Sequence, residues 1–168
     1  MAGNNRCVAF LQRYGMVIGR IFIAMIFLGA AFNHITGFQG TLDYMKSQMG
    51  ALPDGVLAFL LVGAIVFLVV GGLGVLFGVA TRFGALLLVI FLLSVTPVFH
   101  AFWAVPAEQV QMQLINFQKN LALIGGLISV MAFGPGQLSA DYWWARRCII
   151  CGTAVNDDCG CQAIAIEV

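Results

Sequence analysis

Charge is what this chain has least of. Only 9% of its 168 residues are Asp, Glu, Lys or Arg, against roughly 25% in an ordinary soluble domain. Eight bases and seven acids are too few to cover the surface of a water-exposed globule. A disordered chain is excluded as well, because 61% of the residues are apolar, with 14 Phe among them, and such a chain does not stay solvated. The net charge of +1 supplies no basic field, so no nucleic-acid partner is expected. The lipid bilayer is the solvent that fits this composition.

The few charges then locate the crossings, since an ionised group near the bilayer centre costs at least ~2.5 to 3.5 kcal/mol. Arg20 to Asp43 leaves 22 uncharged residues, Asp54 to Arg82 leaves 27, Arg82 to Glu108 leaves 25 and Lys119 to Asp141 leaves 21. A helix needs ~20 residues to cross ~30 Å of hydrocarbon, so each gap holds one crossing. The spacing predicts spans at 16–36, 56–79, 83–104 and 113–133. The first span reads as a retained helix, its apolar stretch being longer than the ~7 to 15 residues of a signal-peptide core. Arg6, Arg13, Arg20, Arg82, Arg146 and Arg147 fall on one side, Lys46 and Lys119 on the other. Positive residues are retained inside, which predicts that both termini are cytoplasmic. The expected architecture is an all-α integral membrane four-helix bundle over residues 1–142, followed by a cytoplasmic, cysteine-rich tail at 143–168.

Glycines four apart, Gly15 with Gly19 and Gly74 with Gly78, extended by Gly71-Gly72 and Gly125-Gly126, let helix backbones approach closely where lipid provides no drive between helices. Gly134-Pro135-Gly136 stops the last span, and Ser139 with Asp141 is placed to cap a short interfacial helix. Tyr142, Trp143, Trp144, Arg146 and Arg147 suit the headgroup layer.

Polar residues inside spans are costly and each needs a reason. Arg20 reads as an interfacial anchor or as a partner of Asp141. At 1.5 Å per residue, His34 and His100 both come near the outer ends of their helices, and the fourth span begins there with Asn116, Lys119 and Asn120. With Trp103 these residues share one depth. Two readings stay open. They line one pocket for a polar headgroup such as a quinone, or they face headgroups and water separately.

Four of the five cysteines lie in the last 21 residues: Cys148, Cys151, Cys159 and Cys161. Two close thiol pairs are the ligand set of a zinc site or an iron–sulfur cluster. A redox dithiol and free thiols are the other readings, Arg146 and Arg147 favouring thiolate in each case.

Three stretches resemble the DoxX family of small four-helix inner-membrane proteins. They are Gly19-Arg20 with His34-Ile35-Thr36-Gly37-Phe38; Gly71-Gly72 with Phe77-Gly78 and Thr81-Arg82; and His100 to Trp103 with Phe117 to Leu121, Gly125-Gly126 and Gly134-Pro135-Gly136. The resemblance implies an accessory or small subunit of a quinone-linked membrane oxidoreductase, with protein partner subunits in the bilayer. A structural or assembly subunit, and a thiol/quinone enzyme using the cysteine tail, are the alternatives. Two positions depart from the family pattern: His34 replaces a Lys, and Leu68 replaces a Glu. Leu68 cannot relay a proton. The cysteine tail lies outside the pattern.

Overall fold

In the computed structural model, which describes residues 2–50 and 52–152, each long uncharged run is a helix and no strand occurs among the described residues. Hydrocarbon offers no partner for a backbone N–H or C=O, so a helix, which satisfies its own, is the conformation these runs must take. Six helices follow in chain order: α1 (Ala2–Thr36), α2 (Phe38–Met49), α3 (Asp54–Phe77), α4 (Thr81–Phe99), α5 (Ala107–Phe133) and α6 (Ala140–Gly152). Four stretches are long and apolar enough to cross a membrane: Arg13–Thr36 of α1, and all of α3, α4 and α5. The shortest, α4, has 19 residues, which at 1.5 Å each span about 28 Å.

The third and fourth crossings meet at different boundaries from those expected. α4 stops at Phe99, five residues short of 104, with Pro97 in its last turn and His100, at φ −126°, ψ 38°, leaving the helical conformation. α5 starts at Ala107, six residues before 113, directly after Pro106, which is extended at φ −57°, ψ 151°. Glu108 in the first turn of α5 suits the positive end of the helix dipole.

Most of the segment between the first two expected spans, residues 37–55, is the amphipathic helix α2. Leu42 and Met45, three apart on one face, bury against Leu57 and Leu61 at the start of α3. Lys46 and Asp54 pair at 2.8 Å across the same junction. The hydrogen bond to Asp54 raises the Lys46 pKa, but an exposed pair of this kind adds little to stability.

α3 lies between α1 and α4, and α5 packs on α4. The middle of the bundle is filled by Phe27 and Ala31 of α1, Leu68 and Val75 of α3, Leu88 and Leu92 of α4, and Ile124 and Leu127 of α5. Adjacent glycines let α3 serve two neighbours. A Cβ on Gly71 would lie 2.7 Å from Leu88 Cγ and 2.9 Å from the Gly84 carbonyl oxygen of α4; one on Gly72 would lie 2.9 Å from Leu28 Cδ2 of α1. Gly126 meets Ile23 at 3.4 Å, whereas Gly15, Gly19 and Gly125 meet nothing within 4 Å. The packing role expected of Gly15 and Gly19 is thus taken by Gly71, Gly72 and Gly84. The outward faces are apolar: Phe59 is 77% and Phe133 83% exposed, which suits contact with lipid.

Gly71→Ala is expected to destabilise the purified protein by about 1 to 3 kcal/mol, the usual cost of overpacking. Gly15→Ala, which fills open space on a helix, should be neutral or slightly stabilising. Thermal unfolding in detergent, monitored by helical circular dichroism, compares the two; equal effects would contradict the packing described.

Candidate functional site

Polar side chains gather at both ends of the bundle, and the two ends are built differently. At the end carrying His100, the chain leaves α4 through a short turn closed by Ala104 N–H to Ala101 C=O, 3.0 Å. The turn places Phe102 and Trp103 edge-on to each other (centroids 4.9 Å apart) and to Phe117 of α5, at 5.5 and 6.0 Å. Trp103 remains 61% exposed. His100 Nδ1 lies 2.9 Å from Gln113 Oε1. An amide oxygen only accepts, so in this arrangement Nδ1 is the donor. Lys119, exposed, donates to Asn116 Oδ1 at 3.1 Å. Asn120, one position on and therefore turned inward, is buried and donates to Thr96 Oγ1 of α4 at 3.1 Å.

Five of the six residues expected at this end thus lie on the α4–α5 pair: His100, Trp103, Asn116, Lys119 and Asn120. Asn116 and Lys119 are joined directly, His100 and Asn120 bond to Gln113 and Thr96, and Trp103 makes aromatic contacts. His34 stands apart on α1, half-buried, its Nδ1 3.4 Å from Thr41 Oγ1 of α2. None of the hydrogen bonds among the described residues links His34 to the other five. Gln113 and Thr96, the partners of His100 and Asn120, carried no signal in the sequence beyond being polar within a span.

The opposite end is more tightly knit. After α5, Gly134 (φ 78°) and Gly136 (φ 80°) turn the chain into a strap, residues 134–139, that runs back across α1 and the α3–α4 turn. Arg20 of α1 donates from Nη2 to the Leu138 carbonyl at 2.6 Å. The Asp141 carboxylate accepts from Ala80 N–H (2.7 Å), Thr81 N–H (2.9 Å) and Thr81 Oγ1 (2.8 Å), capping α4. In return Asp141 N–H donates to Gly78 C=O at 2.8 Å. The carboxylate holds Ala80 at φ 44°, the one positive φ of a non-glycine residue among those described. Gly78, itself at φ 71°, admits the strap because it has no side chain: a Cβ there would lie 2.5 Å from Ser139 Cβ and against the Arg20 guanidinium.

Both readings of Arg20 are corrected by this arrangement. It is not an interfacial anchor, since only 2% of its surface is exposed. Asp141 acts on its charge but makes no direct ion pair with it, the single pair within 4.0 Å among the described residues being Lys46–Asp54. Its Nε and Nη1 find no acceptor among the described residues. Ser139 caps α6 as expected, its Oγ accepting from Tyr142 N–H at 3.2 Å, but Asp141 caps α4 instead. Cys148 and Cys151 fall within the helical backbone of α6. The proposed four-thiol metal site lies outside the described residues, as Cys159 and Cys161 do.

Comparison with known proteins adds the following. The sequence model of the family described as DoxX matches residues 15–101. The chain is 34% identical over 131 residues to the inner membrane protein YqjF of Escherichia coli (strain K12), covering 78% of this chain and 92% of that one. It is 31% identical over 126 residues to the inner membrane protein YphA of the same organism, covering 75% and 87%. It is 26% identical over 142 residues to a Surfeit locus protein 4 homolog of Drosophila melanogaster, covering 83% of this chain but 43% of the fly protein. No solved structure matches the chain.

Two predictions test this geometry. Asp141→Ala strips the cap from α4 and should cost about 1 to 2 kcal/mol, with Asp141→Asn intermediate, read as the shift in thermal midpoint in detergent. Thr96→Val and Asn120→Leu should each destabilise, and their double-mutant cycle should give a coupling of about 0.6 to 1.7 kcal/mol, the range of interhelical hydrogen bonds in membranes; strict additivity would refute the bond.

Proposed function

The chain belongs to the DoxX family, and from that premise we propose that it is a small accessory subunit of a quinone-linked oxidoreductase in the inner membrane. Both termini then face the cytoplasm, as the six arginines on one side against two lysines on the other favour, and the His100 end faces outward. The electron-carrying groups belong to the partner subunit. This chain contributes a place for the quinone headgroup and a lateral contact in the bilayer.

The observation that supports this reading is the exposed Trp103 standing against Phe117, in the same stretch as the exposed Lys119 and its partner Asn116. A quinone head is a flat ring with carbonyl acceptors at its edge. An indole offers a face to the ring, and an ammonium and an amide offer N–H donors to the carbonyls. His100 donates from Nδ1 to Gln113, and the neutral form of its ring offers a lone pair at Nε2 to a hydroxyl of the reduced quinol. Asn120 holds α4 and α5 in register from within.

Gentle solubilisation from the native membrane should bring down the chain with a subunit carrying a flavin, haem or iron–sulfur group, and with bound quinone. Lys119→Gln and Trp103→Ala should each lower the extracted quinone several-fold, with the thermal midpoint unchanged. Recovery of the protein alone and free of quinone would overturn the reading.

A further inference from the structure

A groove of about 450 Å³ opens beside the strap, lined by Phe77, Leu138, Ser139, Ala140, Trp143 and Trp144. Its walls are apolar and exposed: Phe77 is 62%, Trp143 65% and Trp144 78% accessible. Aromatic side chains of this kind belong at the level of the lipid headgroups. Two guanidinium groups lie beside the groove. The guanidinium of Arg20 lies under its floor, bonded to the Leu138 carbonyl and directed at the place where Gly78 meets Ser139. That group is 98% buried by its 2% exposure, and its Nε and Nη1 have no acceptor among the described residues. Next to the wall, the Arg147 guanidinium stacks over the ring of the lining residue Trp143 at 5.8 Å. The one carboxylate nearby, Asp141, accepts from Ala80 and Thr81 and offsets the charge of Arg20, whereas Arg147 has no carboxylate within 4.0 Å among the described residues.

From this complementarity we infer that the groove is a binding site for one anionic phospholipid. An acyl chain lies along Phe77, Leu138 and the two indoles. The phosphate sits at Arg147. A zwitterionic lipid fits the same apolar walls but brings its own cation, so the site selects for net negative charge. The site is at the opposite end of the bundle from Trp103 and Lys119 and is independent of the quinone reading.

The chain holds three tryptophans, which makes the test direct. The full-length Trp103→Phe protein, reporting from Trp143 and Trp144, is reconstituted in phosphatidylcholine bilayers containing a minor fraction of brominated phosphatidylglycerol or of brominated phosphatidylcholine. The bromine quenching should show about a fivefold preference for phosphatidylglycerol, the effect of one interfacial arginine, and Arg147→Gln should abolish it. The Trp143→Phe/Trp144→Phe protein, reporting from Trp103, should show no preference. Equal quenching by the two lipids, a preference that survives Arg147→Gln, an equal preference at Trp103, or relief of the quenching by inorganic phosphate would each overturn the proposal.

Discussion

The grip of one carboxylate on one turn closes this bundle. Asp141 reaches back to the α3–α4 turn, satisfies two backbone N–H groups and a hydroxyl there, and receives a carbonyl on its own N–H. Those N–H groups are among the four that any helix leaves without partners at its start, and at the edge of hydrocarbon they are expensive to leave bare. Arg20 adds the third side by holding the strap from α1. Four separate pieces of chain, α1, the α3–α4 turn, the strap and α6, meet within one set of hydrogen bonds.

The other end is held differently. A single buried hydrogen bond, Asn120 to Thr96, joins α5 to α4, and the remaining polar groups pair locally or face outward. Trp103 and Lys119 are left accessible, as a surface intended for a visitor would require. The adjacent glycines of α3 reconcile the two ends. By letting α1 and α4 approach on opposite flanks, they keep the middle rigid, so that neither end needs further bracing.

The crossings were legible in the sequence because charge is forbidden in hydrocarbon and therefore marks every boundary. The loops were less so. α2 escaped notice because Asp43, Lys46 and Ser47 dominate its composition, while its stability comes from Leu42 and Met45 against α3, a tertiary contact. The glycine pairs carried the right idea at partly wrong places, since spacing identifies a smooth helix face but not which face a neighbour chooses. Depth likewise grouped His34 with His100, Trp103, Asn116, Lys119 and Asn120. Rotation about the helix axis then decided the outcome: Lys119 and Asn120 differ by one position, about 100°, and one is exposed while the other is buried. Arg20 was misread for a related reason. An arginine near a span end usually snorkels outward, and nothing local announces a carbonyl 118 residues downstream.

The left-handed Ala80 also bears on how the molecule is made. An L-residue held there costs roughly 1 to 2 kcal/mol, and the group that holds it lies 61 residues further along the chain. A nascent chain threading into the membrane therefore presents its middle hairpin unfastened, and the hairpin waits for the final crossing to be synthesised. The fastening group follows α5, so an intermediate that has not yet been clasped carries all four crossings around a hinge that is still loose.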